Sequence, residues 1–112
     1  MVNGKKILII DDDIDFGFLM TEFFSKRGGK VLVAKSLTEG LWLLQNEKLD
    51  FIFLDNHLPD GLGWGKTAYI LANYPHARLI LISSQDVPST HTKSFSILFK
   101  PLLKERLHKM FD

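Results

Sequence analysis

Five short apolar runs punctuate the chain: Ile7–Ile10, Val31–Ala34, Phe51–Leu54, Leu79–Ile82 and Phe95–Phe99. Each is a mostly continuous block of Ile, Val, Leu or Phe, with little polar alternation. Strands covered on one face alternate; strands covered on both faces do not, so these runs fit a buried parallel sheet. Helix-length segments separate most of them. Ile14–Arg27 spaces Phe16, Leu19, Met20, Phe23 and Phe24 at helical intervals, and Gly28-Gly29 supplies a stop. Leu37–Glu47 carries Leu37, Leu41 and Leu44, and Ser36 with Glu39 forms a capping box at its start. Leu62–Asn73 carries Trp64, Ala68 and Leu71; Leu102–Phe111 carries Leu103, Leu107, Met110 and Phe111. Strand and helix alternating in this way predict one doubly wound α/β domain spanning residues 1–112. Its five-stranded parallel sheet should have the flavodoxin-like order 2-1-3-4-5, with right-handed crossovers.

One interval breaks the pattern. Asp86–Ser94 stands where the fourth helix belongs, yet it holds only Val87 as an apolar residue, with Pro88, Ser89, Thr90 and Thr92. The expectation is a fourth helix that is shortened or missing, in a more mobile loop.

Composition narrows the function. The 112 residues carry a formal net charge of +1, so no electrostatic pull toward nucleic acid or an anionic membrane is visible. No apolar stretch approaches the ~20 residues of a membrane span. With no cysteine, disulfide and thiol chemistry are excluded. The basic start MVNGKK is not followed by an apolar signal region. A soluble cytoplasmic protein is expected.

In open α/β sheets, ligands lie beyond the carboxyl ends of the strands. The first run ends in Asp11-Asp12-Asp13, the third in Asp55, the fourth in Ser83-Ser84 and the fifth in Lys100-Pro101. The strand order brings these ends together. Clustered carboxylates repel one another unless a cation offsets them, and an all-oxygen set suits Mg²⁺. A carboxylate beside such a cation can attack phosphorus. Not every nearby acid belongs to that set. Asp13 and Asp15 fit the first turn of a helix. Asp11, Asp13, Asp15 and Glu22 fall on an EF-hand spacing, but its required glycine is Phe16. His76, His91 and His108 show no metal-ligand spacing and are expected on the surface.

The motifs IIDDD, FLDNHLPDG, LILISSQ and FKP, in this order on these strands, resemble the receiver domains of two-component response regulators. The resemblance runs through essentially the whole chain. It implies that Asp55 accepts a phosphoryl group from a sensor histidine kinase or phosphotransfer protein. It assigns Mg²⁺ to Asp11, Asp12, Asp55 and the backbone carbonyl of His57. It assigns phosphoryl contacts to Ser83, Ser84 and Lys100, and a cis peptide before Pro101. Output would run through an unidentified downstream protein, with no direct contact to nucleic acid or membrane. Two features depart from the family. The interval from Ser83 to Lys100 is several residues short, and the aromatic switch position is Ile97. A binding scaffold that does not use phosphorylation is therefore an alternative. A Mg²⁺-dependent phosphohydrolase, with His57 as acid–base group, is a more distant one.

Overall fold

The computed structural model describes residues 1–84 and 95–112. In chain order the elements are β1 (Lys6–Ile10), α1 (Ile14–Ser25), β2 (Lys30–Ala34), α2 (Leu37–Asn46) and β3 (Phe51–Asp55). A small antiparallel hairpin follows, β4 (His57–Leu58) and β5 (Gly61–Leu62), then a 3-10 turn at Gly63–Lys66. The chain continues with α3 (Thr67–Asn73), β6 (Arg78–Ser83), β7 (Phe95–Phe99) and α4 (Lys104–Phe111). The main sheet has the order β2-β1-β3-β6-β7, and every pairing in it is parallel. With the hairpin set aside, this is the expected order. The segment expected to be a shortened fourth helix, Asp86–Ser94, lies outside the described residues.

The continuous apolar runs have a simple cause. Ile7 and Ile9 pack into one core with Phe16, Met20, Phe24 and Phe111, from α1 and α4. Leu8 and Ile10, pointing the other way, pack into a second core with Leu37, Leu44 and Ile70, from α2 and α3. These four residues of β1 are fully buried. Each core supplies the apolar contact that most helical stability rests on. Phe24, Phe53 and Phe111 tie the first core together, with ring centroids 5.0 Å apart for Phe24–Phe111 and 5.7 Å for Phe24–Phe53. Aromatic contacts of this kind add to area burial.

The helix ends follow the local chemistry. Asp13 caps α1, accepting the Phe16 amide at 3.2 Å. Ser36 caps α2 through the Glu39 amide at 3.1 Å. α1 stops ahead of Gly28, whose φ of +81° is readily reached only without a side chain.

Four details differ from the sequence reading. Leu19 is 42% exposed and Leu103 50% exposed, so neither belongs to the core stripe of its helix. The helix expected over Leu62–Asn73 is a 3-10 turn joined to a short α3. There Ile70 is the buried anchor and Ala68 faces solvent. The β4–β5 hairpin was not expected, because two-residue strands leave no periodic signature.

Candidate functional site

The strand order reverses between β1 and β3, and the crevice at their carboxyl ends is the usual binding place of such sheets. Asp11 continues β1 by one residue, donating its amide to the Ala34 carbonyl at 2.9 Å. Asp55 is the last residue of β3, Ser83 the last of β6, and Lys100 follows β7 directly. The register closes the arrangement. Asp55 is paired with Ile82, Ser83 with Phe99, and the Lys100 amide donates to the Ser83 carbonyl at 2.7 Å.

Three of the expected acids converge. Carboxylate oxygens of Asp11, Asp12 and Asp55 all lie within 4.8 Å of one another. Asp11 is 1% exposed and Asp55 6% exposed, whereas Asp12 opens to solvent. Burial, followed by the Asp11 charge, pushes the Asp55 carboxyl up to about 6, against the pull of Lys100.

Lys100 offsets part of that charge. Its Nζ lies 2.9 Å from Asp11 Oδ2 and 3.2 Å from Asp13 Oδ2, over the Phe16 ring at 4.7 Å from its centroid. Burial works against the lysine's charge, but Asp11 outweighs it and the ammonium is held more firmly protonated than usual. The Asp11 contact is an ion pair by distance, without the alignment of a hydrogen bond on Oδ2. Carboxylate oxygens gathered this closely, two of the three acids being buried, are fitting ligands for a hard cation.

The remaining expected residues are near these in the fold. Ser83 is 2% exposed, and Ser84 beside it faces solvent. His57 is exposed on β4, two residues past Asp55. The Lys100–Pro101 peptide is cis. Ile97 lies half-buried in β7 beside Leu81.

Two residues at this end, and one pairing, escape the sequence reading. Gly63 packs against the backbone of Asp55 and donates its amide to the Asn56 carbonyl at 2.8 Å. Asp60 accepts the Leu37 amide at 2.7 Å, and the Thr38 amide and hydroxyl at 2.8 and 2.6 Å, fastening the loop after Asp55 to α2. These bonds, led by the Thr38 hydroxyl, hold its carboxyl down to about 2. Asp13 is the expected cap of α1, and it is also a second partner of Lys100. The only sequence signal for Asp60 was its place in PDG, a turn tripeptide that names no distant partner.

A doubly wound parallel sheet whose strand ends gather three carboxylates and a lysine defines an open-sheet α/β module with an acidic crevice. The chain matches the response regulator receiver domain family over residues 7–112, and it belongs to that family, the receiver modules of two-component signalling. It is 29% identical over 111 residues to the transcriptional regulatory protein GlrR of Escherichia coli K12, a match covering 95% of this chain and 25% of that protein. It is 27% identical over 112 residues to the autoinducer 2 sensor kinase/phosphatase LuxQ of Vibrio parahaemolyticus, covering 95% of this chain and 13% of that one. The chain thus spans well under half the length of these relatives. Among solved structures, a response regulator from Burkholderia pseudomallei superposes with a TM-score of 0.83 at 26% identity, covering 96% of this chain and 66% of that one. That crystal contains a phosphorylated aspartic acid, a calcium ion and citrate. A two-component response regulator from Clostridium difficile gives 0.83 at 27% identity, covering 95% and 91%. Among the described residues, no helix is long and apolar enough to cross a membrane.

Proposed function

We propose that this receiver domain accepts a phosphoryl group on Asp55 and uses it to switch its contacts with another protein. The observation that carries the reading is the convergence of the Asp11, Asp12 and Asp55 carboxylates beside Lys100. The phosphorylated aspartic acid of the Burkholderia relative supports it. A sensor histidine kinase or phosphotransfer protein is the proposed donor, and the cytoplasm the proposed setting.

In the step itself, an Asp55 carboxylate oxygen attacks phosphorus. The bond from phosphorus to the donor's imidazole nitrogen breaks, and its electron pair returns to that nitrogen. Asp11, Asp12, Asp55 and the His57 carbonyl would hold Mg²⁺, which would neutralise charge on the phosphoryl oxygens. Asp55 must be ionised to attack, and a folded-state pKa near 6 leaves it ionised at neutral pH. Lys100 supplies a compact positive charge on a partly buried stem. Ser83 and Ser84 offer hydroxyl donors to the phosphoryl oxygens. The product is an aspartyl phosphate, so the domain is a phosphoryl acceptor in signalling, with at most self-phosphorylation from small donors and self-dephosphorylation.

Incubation with acetyl phosphate and Mg²⁺, read by intact mass, tests the reading. One added phosphoryl group, absent in Asp55→Asn, supports it. No labelling of a folded protein would favour a binding scaffold independent of phosphorylation. Sustained turnover of phosphate esters would favour a hydrolase.

A further inference from the structure

Lys100 is held from outside the acid cluster as well as from within it. Asp11 and Asp13 share its ammonium, at 2.9 and 3.2 Å. Asp13 is not one of the three converging carboxylates, and its side chain is 44% exposed against 0% for Asp11. The Asp13 carboxylate is itself fixed. Oδ1 takes the Phe16 amide at 3.2 Å, and the Asp13 amide donates to Asp11 Oδ1 at 2.9 Å. It therefore sits at the first turn of α1 and cannot follow the lysine inward. Asp55, the group that needs a counter-charge once phosphorylated, is buried.

We propose that Asp13 is a positioning residue that draws Lys100 toward the solvent rim and restrains it from a phosphoryl group on Asp55. This rests on the function proposed above. If Asp11 is committed to a cation, it is no longer an equal partner for the ammonium, and Asp13 becomes the main competitor for it. Phosphorylation then requires Lys100 to weaken or leave its pair with Asp13. The α1 cap and the state of the phosphorylation site are thereby linked through one carboxylate. A partly exposed pair of this kind is modest, so the restraint sets a rate and does not block the reaction.

Asp13→Asn separates the two roles of the residue. Asparagine caps helices as well as aspartate does but cannot form the ion pair. Labelling by acetyl phosphate with Mg²⁺ is followed by intact mass for the wild type, Asp13→Asn and Asp15→Asn. Asp15 carries the same charge in the same turn and serves as the control for general repulsion of an anionic donor. Asp13→Asn should label about two- to fivefold faster than the wild type, clearly beyond any gain in Asp15→Asn. The gap should narrow as salt is raised, because salt screens an ion pair and leaves a neutral cap unaffected. Equal or slower labelling of Asp13→Asn, an equal gain in Asp15→Asn, or a salt-independent gap would overturn the restraint while leaving phosphorylation of Asp55 intact. No labelling of the wild type would overturn the underlying reading, and the restraint with it.

Discussion

Gly63 stands directly behind Asp55: a Cβ at position 63 would lie 2.1 Å from the Asp55 carbonyl oxygen and 2.9 Å from a Leu54 methyl. Neither the backbone oxygen nor the buried leucine has room to retreat. The glycine is required by close approach, not by an unusual φ. Gly63→Ala must therefore shift the end of β3, at a cost of about 1–3 kcal/mol or more. Thermal melting should show the loss, and labelling of Asp55 should fall with it. A variant as stable as the wild type would mean that the loop moves freely away from Asp55.

Asp60 and α2 form the second support of that loop. Removing the carboxylate in Asp60→Ala leaves the amides of Leu37 and Thr38 without their acceptor. The melting temperature should fall, and Asp60→Asn should fall less, since an amide oxygen can still accept. The pH dependence has a definite sign. A carboxyl held down to about 2 in the folded state, against an ordinary 3.8, stabilises the fold above 3.8. That contribution is lost as pH drops from there toward 2. Wild type and Asp60→Ala should therefore converge in acid; a constant difference down to pH 2 would remove the capping role.

How much of this was legible beforehand depended on the range of each interaction. Runs such as Ile7–Ile10 and Phe51–Leu54 declared a sheet buried on both faces, because burial acts on every residue of the run. The caps Asp13 and Ser36 were legible because a cap bonds within its own first turn. The convergence of Asp11, Asp55 and Lys100 followed once strand order was assumed. Gly63, Asp60 and the Asp13–Lys100 pair were not legible. Gly63 depends on how tightly its turn seats against the end of β3, and the other two join elements far apart in the chain, 87 positions for Asp13 and Lys100. Leu19 and Leu103 were misplaced for a related reason: helical spacing marks a stripe, but the neighbouring elements decide its width.

Asp55 should make the metal-free protein sensitive to pH in the opposite sense. Its folded-state pKa is raised, to about 6 from 3.8. The folded protein thus binds more protons than the unfolded chain between those values, and stability falls as pH rises through that window. The contribution is at most about 3 kcal/mol, complete below 3.8 and lost above 6. In chelator, melting temperature should rise on going from pH 7 to about 5. Asp55→Asn should flatten that rise and be the more stable protein at pH 7. A rise that persists undiminished in Asp55→Asn would assign it to other groups.

Mg²⁺ should stabilise the fold, since the unfolded chain has no gathered carboxylates to bind it. At a concentration 100 times its dissociation constant the gain is about 2.7 kcal/mol. Asp12→Asn removes one of the three converging carboxylates. It should weaken the response, and relief of repulsion should leave the metal-free variant no less stable than the wild type. A melting temperature indifferent to millimolar Mg²⁺ would contradict the assignment of these acids to a cation.

The most direct test of the central claim is the intact mass of wild type and Asp55→Asn after incubation with acetyl phosphate and Mg²⁺. The wild type should gain one phosphoryl group, chelator should prevent the gain, and Asp55→Asn should gain none. Equal labelling of Asp55→Asn, or no labelling of the folded wild type, would contradict a phosphoryl acceptor at Asp55.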